Sequence, residues 1–235
     1  MHKMKAITNH LLLSCIVCII ATVSQQTAKA QSADIAWTND LNVDITGATL
    51  TRNLSSGDPA GAASTDSLQA GEVGWIAITI GEIASTRGFG FTSTFIANYN
   101  YKGFDYGFEI KKNKVAVYDN GKKTKAKSEV FPGDQLAIHR VGSVVYFLQN
   151  GAVFWTAATP SSGAMIAQAS LLKRAGAQLL NAQQCFGCGA GSPPPSGDNL
   201  GNHRATENIR LNSNYISNDG DNEGLTIDDA GKVGR

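Results

Sequence analysis

Gly133-Asp134-Gln135-Leu136-Ala137-Ile138-His139-Arg140-Val141-Gly142-Ser143-Val144-Val145-Tyr146-Phe147-Leu148-Gln149-Asn150-Gly151-Ala152-Val153-Phe154 is the stretch whose reading decides the fold. Pro132-Gly133-Asp134 marks a turn before it. Gln135–Val141 then alternates Leu136, Ile138 and Arg140 with Ala137 and His139, the period of two of a strand. Val144–Gln149 and Ala152–Thr156 flank Asn150-Gly151. That dipeptide tolerates positive φ at both central positions of a two-residue hairpin turn. One stretch thus predicts three consecutive antiparallel strands.

The same signals extend outward. Residues 115–119 and 122–127 flank a second Asn-Gly, at Asn120-Gly121. Phe104, Tyr106, Phe108 and Ile110 alternate with Asp105, Gly107 and Glu109, which predicts one aromatic buried face and one polar face. Phe89 and Phe91 alternate with Gly88 and Gly90. Residues 73–80 are apolar on both faces, with Trp75 against Ile76 and Ile78, so a central two-sided strand is expected. One stretch disagrees: Leu171, Ala175 and Leu179 sit at helical spacing within 164–184, interrupted by Gly176.

Composition agrees with strands and tight turns. The chain has 235 residues, 42% hydrophobic and 17% charged, with 25 Gly. A core is affordable and wholesale disorder is excluded. Residues 1–30 read as a secretory signal: His2, Lys3 and Lys5 start it, an apolar run spans 11–23, and Ala28-Lys29-Ala30 forms a small-x-small cleavage site before Gln31. The formal charge of +1 becomes −2 once Lys3, Lys5 and Lys29 are removed, which argues against nucleic acid as a partner. No transmembrane segment is expected after the leader, and the protein is expected to be secreted or at the cell surface.

The expected organisation is a leader at 1–30, a β-sandwich at 31–186, a Gly/Pro/Ser linker at 187–204 carrying Pro193-Pro194-Pro195, and a short polar tail at 205–235. Cys15 and Cys18 leave with the leader, and Cys185 and Cys188 remain as C-x-x-C. An oxidising compartment favours a local disulfide. A redox pair needs a helix N-terminus, which the Gly-rich flanks oppose, and a zinc site needs more ligands than His139 and His203 supply. No metal and no cofactor are expected.

Asp34-Ile35-Ala36-Trp37, then Val43-x-Ile45-x-Gly47-x-x-Leu50, then the 133–154 string together resemble the concanavalin A-like, SPRY-like β-sandwich modules of secreted bacterial surface proteins, over about residues 33–184. The resemblance implies an all-β, antiparallel concanavalin-like jelly-roll sandwich. It also implies that 164–184 is two short strands with a Gly between them rather than a helix. Residues 211–227 and Gly231-Lys232-Val233-Gly234 resemble the shaft of tail-fibre-like proteins, which implies an extended tail and a homotrimer.

Three groups of residues are candidates for chemistry. Asn98, Tyr99, Asn100, Tyr101 and Lys102 join two predicted strands, and alternating amides and phenols suit a sugar: amides bond hydroxyls and rings stack on C–H faces. The competing reading packs both Tyr on the sandwich. Lys111, Lys112, Lys114, Lys122, Lys123, Lys125 and Lys127 form a patch for an anionic polymer, against which stands edge-strand protection by lysine. Asp105 and Glu109 have a carboxylate spacing that glycoside hydrolysis could use, although the Glu-x-Asp-x-x-Glu string of laminarinase-type enzymes is absent. No Gly-x-Ser-x-Gly elbow exists to recruit His139 or His203. Asp219-x-Asp221-x-Glu223 imitates a calcium loop but has Ala230 where the last acidic ligand belongs. The expected function is therefore non-catalytic binding of a glycan or cell-surface polymer outside a bacterial cell. The alternatives are a structural fibre or adhesin subunit, and a glycan-active hydrolase.

Overall fold

The computed structural model describes residues 31–55, 57–172, 174–189 and 194, with two short strands further on, 226–227 and 233–234. The chain divides into two units, Met1–Asp198 and Asn199–Arg235. In the first, the strands in chain order are β1 (Ala33–Asp34), β2 (Trp37–Leu41), β3 (Val43–Thr46), β4 (Thr49–Arg52), β5 (Gly61–Leu68), β6 (Gly74–Thr79), β7 (Thr86–Thr92), β8 (Tyr106–Lys111), β9 (Lys114–Asp119), β10 (Lys122–Glu129), β11 (Gln135–Val141), β12 (Val144–Gln149), β13 (Ala152–Thr156), β14 (Met165–Leu172) and β15 (Gln178–Phe186). Among the described residues one 3-10 turn, Tyr101–Gly103, interrupts them. The described part of the second unit is one antiparallel pair, Thr226–Ile227 with Val233–Gly234. The leader, His203 and the rest of the fibre-like tail lie outside the described residues.

Two antiparallel sheets make the sandwich. One runs β13-β12-β11-β6-β15-β4-β3, with β1 also on β15; the other runs β10-β9-β8-β7-β14-β5-β2. This is the all-β, concanavalin-like sandwich expected. The helical spacing at 164–184 is overridden, as the family resemblance implied: β14 and β15 fall in opposite sheets, joined through Gly176 at φ +77°. Ala167, Ala169 and Leu171 face the core while Gln168 and Ser170 face away, so the period is two. Small Ala residues made the helical reading tempting. Pairing on both sides of β14, with β7 and β5, decides against it.

Inward residues of both sheets interdigitate in one core, including Leu50, Ile76, Ile78, Phe89, Phe91, Phe108, Ile138 and Phe147. Phe108 meets Phe147 edge-on at 5.3 Å between centroids. β6 lies between β11 and β15 and is buried on both faces, as its two-sided pattern required.

The deciding stretch turns out to be a lock. Asn120-Gly121 and Asn150-Gly151 all have positive φ, at +50°, +70°, +51° and +78°. Asn150 does more than turn: its Oδ1 accepts from Gln135 N at 2.8 Å and its Nδ2 donates to Asp134 Oδ1 at 3.0 Å. Asp134 Oδ2 accepts from Phe131 N at 2.9 Å. Arg140 is fully buried; it donates to Glu72 O at 2.9 Å, to Gly163 O at 2.6 Å and to Gln69 O. A buried guanidinium is tolerable because main-chain carbonyls take its donors.

β15 ends at Phe186; among the described residues after it, Cys188 is buried in the apolar cluster that holds Trp75, and Pro194 is buried too. The chain turns at Gly187, φ +73°, and Cys185 and Cys188 are disulfide-bonded with Cα atoms 5.8 Å apart.

Candidate functional site

The loop between β7 and β8 carries the residues expected to meet a sugar. Tyr99 and Tyr101 are 2% and 7% exposed, so this expectation is corrected: neither ring is offered to a ligand. The cause lies in the strands beneath. Gly88, Gly90 and Gly107 leave the outer face of their sheet without side chains, and a Cβ on any of them would lie under 3.0 Å from Tyr101 or Phe104 atoms. Tyr101, Phe104 and Tyr118 fill that flat pad as a small outer core, with Tyr101 and Tyr118 edge-to-face at 5.7 Å. The Tyr99 hydroxyl donates to Asn39 O. The loop is stitched down by Gln168, whose Nε2 donates to Ile96 O at 2.7 Å and whose Oε1 accepts from Ile96 N at 3.1 Å. Asn98, Asn100 and Lys102 are exposed, but the two amide oxygens accept from Asn100 N and Lys102 N, both at 3.2 Å, and so shape the loop.

Glu109 and Asp105 do not form a catalytic pair. Asp105 Oδ2 accepts from Ser93 N at 2.6 Å. Glu109 accepts from the Tyr101 hydroxyl at 2.7 Å and is ion-paired with Lys123. Four residues of near-extended chain span about 13 Å, against about 5–5.5 Å for a retaining pair and about 6.5–9.5 Å for an inverting one. Nor is Glu109 poised as an acid. Burial pushes its carboxyl up, but the hydrogen bonds from Lys123 and Tyr101 outweigh burial and hold it below the ordinary value. The same pairing raises Lys123.

All seven lysines of the predicted patch are exposed. β10 is the outermost strand of its sheet. The cross-strand register orders the outer face in rows: Lys111 beside Lys114, which faces Glu129; Glu109 beside Ala116 and Lys127; Gly107 beside Tyr118 and Lys123. Lys112 stands at the β8–β9 turn with φ +55°, and Lys122 follows the β9–β10 turn. The lysines thus form a ladder, with the β8–β9 turn and the β9–β10 turn about 17 Å apart at about 3.3 Å per residue. Residues 106–129 hold seven lysines against three acids, whereas the rest of the chain after the leader holds ten basic and sixteen acidic residues. Lys123 also lies 6.0 Å from the Tyr118 ring centroid.

At the end of the sandwich beside this ladder is a small polar pocket of about 200 Å³, lined by residues that include Ser93, Asp105, Asn120, Ser162 and Met165. Asp119 shapes it from behind, accepting from Ala158 N at 2.7 Å and Thr159 N at 3.3 Å. Sequence reasoning missed this pocket. Its one legible signal was Pro160-Ser161-Ser162-Gly163, a loop-forming run with no periodicity. Among the described residues no three His, Cys, Asp or Glu side chains gather. His139 faces away from the core between Trp75 and Tyr146, and burial lowers its pKa.

No family profile and no curated protein sequence matches the chain. Solved structures that are similar include the SPRY domain of human HERC1, 13% identical, spanning 66% of this chain and 94% of that one with a TM-score of 0.45. The carbohydrate recognition domain of Emp46p is 8% identical, spanning 68% and 89%, TM-score 0.43. A Bacillus licheniformis beta-glucanase is 14% identical, spanning 70% and 94%, TM-score 0.39. A recognition domain and a glucanase stand side by side in this set, so function has to be argued from this chain's own residues.

Proposed function

We propose that the protein is a non-catalytic binding module of the cell exterior and that it takes an extended anionic polymer, an acidic glycan above all, along β8–β10. The lysine ladder carries this reading. Like charges set along a strand repel one another unless solvated or neutralised, and an extended polyanion neutralises several at once. A small anion would reach only one end of the ladder. The pocket at Ser93, Asp105 and Asn120 lies beside the β9–β10 turn and offers hydroxyl and amide partners to a sugar unit of the same chain. Export is supported by the leader pattern and by a disulfide at Cys185–Cys188, which suits an oxidising compartment. Trimerisation through the tail belongs to the same proposal, as the way several weak ladders would be gathered on one polymer.

The test is binding of heparin, polygalacturonate and dextran to the chain 31–235. Both acidic polymers are expected to bind, and dextran is not. Changing Lys111, Lys114, Lys122, Lys125 and Lys127 to Gln should abolish binding, and raising salt from 0.1 to 1 M should do the same, since the screening length falls from about 10 to about 3 Å. If that variant binds as before but aggregates, the lysines protect an edge and the ligand reading is wrong.

A further inference from the structure

The two sides of the sandwich, where both sheets end, carry opposite charge. One side ends in the edge strands β10 and β13, which pack beside one another. The other ends in β2 and β3, which Asn42 alone joins, with β1 nearby on the free side of β15. On the first side Lys122, Lys125 and Lys127 of β10 are exposed. On the second, Asp34, Asp40 and Asp44 of β1, β2 and β3 are exposed. Residues 31–68 hold five acids and one base, Arg52, which is buried and donates to the carbonyls of Leu54, Asp58 and Leu171.

None of these three lysines and three aspartates has an ionic partner among the described residues. Nor can the two sides neutralise each other within one copy. Each sheet path runs through seven strands. At about 4.8 Å per strand the sides lie about 29 Å apart, and exposed charges are screened beyond about 10 Å at 0.1 M salt. Apolar side chains stand among the charges: Val153 on β13 is 53% exposed, Leu41 on β2 41% and Ile45 on β3 40%. Scattered exposed aliphatics are ordinary; these three sit on the edge strands. Bulges interrupt β2, β10 and β13, a common guard against strand addition. Whatever docks there is held by side chains, weakly and reversibly.

We propose that the partner is a second copy of this chain: the β10–β13 side of one copy docks on the β2–β3 side of the next, lysines against aspartates and Val153 against Leu41 and Ile45. The contact is heterologous, because its two halves lie on opposite sides of one molecule. Each added copy leaves one basic and one acidic side free, so growth continues past a dimer. This goes beyond the polymer reading and does not require it.

Sedimentation velocity of the chain 31–235 over a concentration series tests it. The sedimentation coefficient should rise steadily with concentration in about 0.1 M salt and fall back in about 1 M, where the screening length is about 3 Å. Two double variants follow: Asp40→Lys with Asp44→Lys, and Lys122→Glu with Lys125→Glu. All four residues are exposed, so both proteins should fold, and thermal melts check this. Each variant alone should associate about tenfold more weakly or worse, because like charges then face one another. An equimolar mixture should recover the parent's association, since alternating copies again pair opposite charges. A single species that does not change with concentration, as a tail trimer alone would give, overturns the proposal. So does a loss confined to one variant, which marks an isologous contact, or a mixture that fails to recover. A parent that binds heparin without self-associating overturns this proposal and leaves the polymer reading standing.

Discussion

The two outer faces of the sandwich differ in what became of the side chains that point away from the core. Across β12, β11, β6 and β15, Tyr146, His139, Trp75 and Cys185 stand in one row, and Leu148, Ala137 and Ala77 are neighbours in the same apolar cluster. Trp75 is 2% exposed although it points away from the main core. Across β8, β9 and β10, the outward rows hold Lys111, Lys114, Lys123 and Lys127 in solvent, with Glu109 and Tyr118 sunk among them. One face is closed and belongs to stability. The other is wet and charged. The same period of two writes both faces. Only the residue type in the outward register separates them.

That contrast can be broken in four ways. The largest effect should come from Trp75→Ala, which empties a buried aromatic site and should cost about 3–5 kcal/mol in denaturant unfolding while polyanion binding of the folded fraction stays unchanged. Tyr101→Phe removes one hydrogen bond to Glu109 and should cost about 1.5–3 kcal/mol, the range for a bond to a charged group. A Tyr101→Phe protein as stable as the parent, with weakened ligand binding, would return this ring to the ligand site.

The third test uses pH. His139 titrates lower folded than unfolded because of burial. Its unfolded form gains a proton first, so stability should fall as pH drops from about 6.5 toward the depressed folded value. His139→Gln should flatten that part of the stability profile. Glu109 is also lowered when folded, so its contribution holds above the ordinary carboxylate range and is lost as pH falls through the folded value. Glu109→Gln should remove that acid limb and leave the histidine limb in place. The smallest stability effect belongs to the lysines: Lys111, Lys114 and Lys127 changed together to Gln should shift unfolding by within about 0.5 kcal/mol, yet weaken heparin binding severalfold. Equal losses of stability and binding would erase the distinction between the two faces.

Much of this was legible in the residues. Asn120-Gly121 and Asn150-Gly151 fix two hairpins because the turn's backbone geometry is a local property. The aromatic alternation at 104–110 placed Tyr106, Phe108 and Ile110 inward, but Phe104, expected on the same face, packs on the outer pad with Tyr101 and Tyr118 because it precedes the strand. The lysine ladder was visible because exposed charge needs no partner to be read. The polar-face assignment of Glu109 was half right: it points outward, but Tyr101 and Lys123 cover it.

The sequence by itself determined the strands between residues 73 and 156, the two Asn-Gly turns and the sign of the β8–β10 face, since periodicity, positive φ and formal charge are carried by neighbouring residues. Residue pattern left 164–184 ambiguous and the family resemblance implied two strands; tertiary structure decided that they lie in opposite sheets, through the hydrogen-bonding partners β7, β5 and β6. It also decided that Tyr99 and Tyr101 are packed. Three glycines on two neighbouring strands, Gly88, Gly90 and Gly107, make the bare pad that receives the loop, and no local pattern reveals a surface assembled by pairing. The Gln184–Asp66 contact is of the same kind: 118 residues apart in the chain, they meet at 2.8 Å only once both sheets are formed.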